Sequence, residues 1–161
     1  GWSNAEQLRV WYQGFLGLQP DLEQGVVRLA PRLPKAVGDV EFNSRIGAGV
    51  LHSRYERFDL GRRYTWRLQG QAVRLDLDIV PYARHSFTVA AGDTLIVEES
   101  SGGLVARHVG VDGGERERVT LAPSPVRREQ QARLDAILAG TEFAKPGVAA
   151  AHPAMRQSRT P

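Results

Sequence analysis

The sequence contains no cysteine, which excludes a disulfide framework, a thiolate zinc site and a cysteine nucleophile. Lysine is nearly absent as well: it occurs only as Lys35 and Lys145, so the 21 basic residues are almost all arginine. Against 18 acidic residues they leave a formal charge of +3, too near balance to argue for nucleic acid as a partner. No apolar run approaches the roughly 18 to 20 residues that span a bilayer, and Gly1-Trp2-Ser3-Asn4 is followed by charge where a secretory leader would carry an apolar stretch. A soluble, cytoplasmic chain with no membrane partner is the expectation. What is present is ordinary globular material, 161 residues with 42% hydrophobic and 24% charged side chains, enough for one substantial core and too little for two enzyme-sized domains.

Ser3-Asn4-Ala5-Glu6 fits a capping box, in which a serine hydroxyl and a glutamate carboxylate satisfy each other's backbone N–H groups at a helix start. Leu8, Trp11, Tyr12, Phe15 and Leu16 then recur at offsets of three and four, a broad apolar stripe that needs a large surface to cover it. Gly17 and the turn Leu18-Gln19-Pro20-Asp21 end it. From Gly25 the texture changes to short alternating runs bounded by Gly, Pro and Asp. Strands are predicted over 26–29, 40–46, 49–56, 63–68, 72–80, 86–89, 94–98, 104–111 and 118–121. Gln69-Gly70-Gln71, Ala91-Gly92-Asp93, Ser101-Gly102-Gly103 and Asp112-Gly113-Gly114 suit tight reversals. Short connections favour antiparallel pairing, so the fold class is mainly β, a two-sheet antiparallel sandwich of jelly-roll type with a helix at each end. The second helix is Val126 to Leu138, with Leu134, Ile137 and Leu138 on one side, and the stretch from Lys145 to Pro161 reads as a tail.

Several constellations invite a catalytic reading. Asp76 and Asp78 share one face of a strand, about 6.7 Å apart, inside the roughly 6.5 to 9.5 Å used by inverting glycosidases. They also alternate with Val73, Leu75, Leu77 and Ile79, which makes a solvated polar face the simpler reading. His52, His85 and His108 lack the helical spacing of a zinc-binding pair, and no metal or other cofactor is expected. Gly47-Ala48-Gly49 lacks the third glycine and the following helix of a dinucleotide fingerprint and reads as a turn or bulge. Ser44, Ser53 and Ser86 lie outside any nucleophile elbow. Tyr64 and Trp66 share a strand face and are the candidates for stacking on a sugar ring, with a place in the core as the plainer reading. Arg62-Arg63 and Arg127-Arg128 are expected at the surface or bridging to a neighbouring domain.

Two segments carry a resemblance. Trp2-Ser3-Asn4-Ala5-Glu6-Gln7-Leu8-Arg9 is similar to the start of the last toroid helix in glycogen debranching enzymes of the amylo-α-1,6-glucosidase type and their bacterial relatives. Gly17-Leu18-Gln19-Pro20-Asp21, followed by Leu29-Ala30-Pro31-Arg32-Leu33-Pro34, resembles the exit from that helix into their C-terminal β-domain. With the strand pattern, the similarity runs from Trp2 to Glu98. It implies that residues 1–18 are the last helix of an α/α-toroid and 19–122 a C-terminal sandwich, while the composition beyond them reads as a docking helix over 123–140 and a tail over 141–161. It further implies that the acid and base carboxylates lie in the toroid, with the base before the tryptophan-serine motif, so this chain should hold no catalytic residues. The expected partners are then the toroid itself, or a second copy through the N-terminal helix, with Leu8, Trp11 and Phe15 as contacts, and α-glucan as a ligand. A free-standing carbohydrate-binding module and a ligand-free dimerisation domain are the alternatives.

Overall fold

A computed structural model describes residues 2–21, 23–33, 37–59 and 61–140, with the backbone alone for 2–3 and 134–140. The chain begins with helix α1 (Trp2–Arg9) and continues through a π-helical stretch, Val10–Phe15. Ten strands follow among the described residues: β1 (Leu18–Asp21), β2 (Val26–Leu29), β3 (Val40–Ile46), β4 (Gly49–Phe58), β5 (Gly61–Gln69), β6 (Val73–Leu77), β7 (His85–Val89), β8 (Thr94–Ser100), β9 (Gly103–Val109) and β10 (Glu115–Leu121). Helix α2 (Pro125–Gly140) follows them. The expected tail and the segment around Lys35 lie outside the described residues.

The strands form a four-stranded sheet, β1-β2-β6-β7, and a six-stranded sheet, β10-β9-β8-β5-β4-β3. Their inner faces meet in one apolar cluster, in which Val27, Leu29, Leu75, Leu77 and Phe87 come from the smaller sheet and Leu51, Tyr55, Trp66, Leu95 and Leu104 from the larger. This is the expected sandwich, mainly antiparallel, and its cause is the period-two alternation: in β6 the residues Val73, Leu75 and Leu77 are buried while Arg74 is exposed. The β2–β6 pair is parallel, with Arg28 opposite Asp76 and Leu29 opposite Leu77. Parallel neighbours need a long crossover, here supplied by strands of the other sheet.

Local chemistry explains which connections became hairpins. The turns at 101–103 and 112–114 close β8–β9 and β9–β10, whereas those at 69–71 and 91–93 step from one sheet to the other. The two stepping turns hold each other: the Gly92 N–H donates to the Leu68 carbonyl at 2.8 Å and the Leu68 N–H to the Asp93 carbonyl at 3.1 Å. Gly47-Ala48-Gly49 is the turn between β3 and β4, with Gly47 at φ 58°. Strand β10 ends the larger sheet with four exposed charged residues, Glu115 to Arg118, which discourages pairing with another chain along that edge.

One strand was not anticipated. Leu18–Asp21 pairs with Val26–Leu29 as an edge strand, with Pro20 opposite Val27. A proline fits there because an edge strand has a neighbour on one side only and can spare an N–H. Gly17 makes the passage from helix to strand possible. It sits at φ 69°, and a Cβ there would lie 2.0 Å from the Ala30 carbonyl carbon. Only glycine accepts both demands.

Candidate functional site

The N-terminal helix is fastened to the sandwich at one end. Leu16 and Leu18 are buried, the Ala30 N–H donates to the Gly17 carbonyl at 2.8 Å and the Arg32 N–H to the Phe15 carbonyl at 2.9 Å. The Tyr55 hydroxyl donates to the Leu16 carbonyl at 2.8 Å and accepts from the Trp66 indole at 3.3 Å. An aromatic chain continues the attachment outward, from Trp66 and Tyr64 through Tyr55 and Phe42 to Tyr12, each pair meeting edge to face apart from the stacked Tyr64–Trp66 pair. Such contacts add to area burial by about 0.5 to 1.5 kcal/mol each.

Beyond this anchor the apolar stripe is open to solvent. Leu8, Val10 and Trp11 are 60%, 52% and 51% exposed. The helix does not curl back to hide them, because the π-helical stretch changes the angular step between residues. The Leu16 N–H bonds to Trp11, five residues back, at 2.8 Å. Phe15 thereby turns inward onto the core cluster while Trp11 stays outside, their rings 5.2 Å apart. Of the three residues expected to contact a neighbouring domain, Leu8 and Trp11 are presented outward, and Phe15 belongs instead to the sandwich. Beside them runs a groove of about 380 Å³ between the helix and strands β1 and β3, lined in part by Leu8, Tyr12, Leu18, Pro20 and Ile46. On its wall the buried Ser44 hydroxyl has no hydrogen-bond partner among the described residues. The expected capping box is displaced: α1 already includes Trp2 and Ser3, and Glu6 lies 3.6 Å from Arg9.

Tyr64 and Trp66 offer no surface to a sugar. Both rings are fully buried on the inner face of β5, because the alternation that puts them on one side of the strand puts that side against the other sheet. A stacking platform built from these two residues is therefore excluded by their burial.

The aspartate pair is also rearranged. Asp76 is half-exposed and meets Arg74 at 3.1 Å, the polar face that alternation predicts. Asp78 departs from it: its side chain is 1% exposed, on the outer face of the smaller sheet but covered by α2 and the loop after β6. Three guanidiniums converge on that carboxylate, from Arg28, Arg127 and, at 3.2 Å, Arg84. Arg127 also donates to the Tyr82 carbonyl at 2.6 Å, so it is an internal clamp and not the surface residue its neighbourhood in sequence suggested. With Oδ1 held by Arg127 and Oδ2 by Arg28 and Arg84, Asp78 has no oxygen free to protonate a leaving group or activate water. Burial first, then the guanidiniums of Arg84, Arg32 and Arg127, lowers the Arg28 pKa from its ordinary value, and Arg127 is lowered by burial and by Arg84.

Comparison with family models, curated proteins and solved structures gives no match.

The three histidines among the described residues are each hydrogen-bonded to one side chain: His52 meets Asn43 at 2.6 Å, His85 meets Glu117 at 2.9 Å, and buried His108 meets Asp93 at 2.9 Å. Asp93 also accepts from the Val111 N–H at 2.9 Å, so this pair ties the stepping turn to β9 and the loop beyond it. Among the described residues no group of three or more His, Asp or Glu side chains is placed to hold a metal ion. The buried Ser44 and Ser53 hydroxyls have no hydrogen-bond partner among the described residues, so neither is coupled to a histidine base. The sequence drew attention to individual aspartates and arginines without revealing their convergence, because Arg28 and Asp78 are 50 residues apart, and Arg127 and Asp78 are 49 apart.

Proposed function

We propose that this chain is the terminal helix and β-sandwich of a debranching-type α-glucosidase, acting as a non-catalytic support for the α/α-toroid that precedes the sandwich in such enzymes. The parent reaction is hydrolysis of α-1,6-glucosidic bonds in glycogen-like glucans by a bacterial, cytoplasmic enzyme. A general acid on the glycosidic oxygen and a base on water carry that reaction, with both carboxylates on the toroid. The observation that carries this reading is the exposed apolar stripe of Leu8 and Trp11 on a helix otherwise rooted in the sandwich by Leu16, Gly17 and Leu18. Fully burying each such side chain is worth about 1.5 to 3 kcal/mol, and a contiguous apolar face on a soluble protein marks a contact surface. The neighbouring groove and its unpartnered Ser44 hydroxyl extend that surface onto the sandwich edge.

The support role also accounts for the chemistry of the interior. The one aspartate pair with glycosidase-like spacing is divided between an exposed ion pair and a triple arginine clamp. The binding-module alternative loses its two aromatic rings to the core. Complementation tests the proposal: the chain alone releases no glucose from a branched maltooligosaccharide, the parent's toroid truncated before its last helix has weak activity, and mixing the two restores it. Glucose release by the chain alone, or no gain on mixing, would overturn the reading.

A further inference from the structure

The cleft above Asp78 holds more positive charge than the buried carboxylate can balance. About 790 Å³ in volume, it lies where β2 and β6 run out, between the loops that follow them, the first turns of α2 and the Arg62–Glu99 pair of the larger sheet. Arg28, Arg32, Arg62, Arg84 and Arg127 line it, against the carboxylates of Asp78 and Glu99, an excess of three positive charges. Asp76, the next acidic side chain along the strand, is already engaged by Arg74. Glu99 is drawn toward Tyr82, whose hydroxyl is pushed up by burial first and then by that glutamate.

The five guanidiniums do not have equal tasks. Arg28 and Arg127 are committed to Asp78. Arg84 touches it from an exposed position, with a side chain 68% accessible. Arg32 makes no ion pair among the described residues, and Arg62 sits beside the Tyr64 hydroxyl at the cleft wall. A purely structural clamp on one carboxylate gives no reason to add Arg32, whose charge reaches Arg28, and Arg62, which stands opposite Glu99, to a lining that carries an excess of three positive charges. An anion in the cleft offsets that excess. Guanidinium forks match the oxygen geometry of phosphate, and the cleft falls within the size range of small-molecule sites.

We propose that this cleft binds a small phosphate-bearing anion of two or more charges, with Arg32, Arg62 and Arg84 as its contacts and Asp78 holding Arg28 and Arg127 in place beneath it. The inference is independent of the support role, since Leu8 and Trp11 take no part in lining the cleft. The test is calorimetric titration of the chain with inorganic phosphate, inorganic pyrophosphate and phenyl phosphate at fixed ionic strength, chloride serving as the reference anion. Saturable binding is expected, weakened by about tenfold or more in Arg32→Gln and in Arg62→Gln, since each removes a charge-assisted contact. Neither residue pairs with Asp78, and each substitution removes a positive charge from a cleft that has an excess of it, so both variants should melt no lower than the parent, and Arg67→Gln, on the exposed face of β5, should bind like the parent. Tighter binding of phenyl phosphate than of inorganic phosphate assigns the site to an ester, and the reverse order to the free anion. Absence of saturable binding by all three probes, or binding that Arg32→Gln and Arg62→Gln leave unchanged, would overturn the proposal.

Discussion

At Asp78 a single buried carboxylate receives three arginines, so its loss leaves charges facing one another in a covered space. Removing one partner of a buried ion pair costs about 3 to 5 kcal/mol. Asp78→Ala is expected near the lower end, because Arg28 and Arg84 can turn to water, and the loss is read as a fall in denaturation midpoint. Gly17 is a second point of leverage: Gly17→Ala meets the Ala30 backbone at an unfavourable φ and should destabilise by more than the roughly 1 kcal/mol typical of a glycine in ordinary conformation. Urea unfolding measures it. The buried tyrosines set an alkaline limit. Burial, before any other cause, raises the pKa of the Tyr55, Tyr64 and Tyr82 hydroxyls. A group whose pKa is raised by folding keeps its proton longer in the native state. Its contribution is whole below the unfolded value, near 10, and declines as pH rises beyond it toward the folded value. Stability should therefore fall above about pH 10, with phenolate absorbance from these residues appearing together with unfolding. Ionisation of Tyr55, Tyr64 or Tyr82 in a chain that stays fully folded, read in a Tyr12→Phe background because Tyr12 is exposed, would contradict the burial argument.

Among the elements, the strands were the most legible in sequence, for a physical reason. A strand with one face in the core must alternate, and β6 announces its inward residues by that period, with Val73, Leu75 and Leu77 buried and alternating with Arg74 and Asp76. Strand β1 was hidden because Gly17, Pro20 and Asp21 are turn formers anywhere except on an edge, and edge status depends on the rest of the sheet. The inner helix stripe was legible as a stripe. Its division between Phe15 inside and Trp11 outside was not, since that follows from a π-helical stretch that no spacing rule encodes. Because Leu8 and Trp11 are more than half exposed, and Trp11 meets only Phe15 among the paired rings, Leu8→Ser with Trp11→Ser should lower the stability of the isolated chain by about 1 to 2 kcal/mol and leave it folded, as read by its melting temperature. Helix α2 behaves oppositely. Its Arg127 reaches Asp78 and Tyr82, so Arg127→Met should loosen α2 from the sandwich and speed its limited proteolysis.

At the scale of the whole molecule, the chain pairs a well-packed sandwich with a helix that presents apolar residues outward. The sandwich follows from local alternation and could be read from sequence. The cleft and the clamp around Asp78 could not, because the outward face of β6 becomes an interior only when α2 and the loops after β2 and β6 fold across it. The support role rests on the other exposed feature, the stripe of Leu8 and Trp11. Its most direct test is calorimetric titration of the chain with the parent's toroid truncated before its last helix. Saturable one-to-one association, abolished by the Leu8→Ser and Trp11→Ser pair while that variant remains folded, is the expected result. Failure of the two to associate, or association that survives the double substitution, would contradict the account.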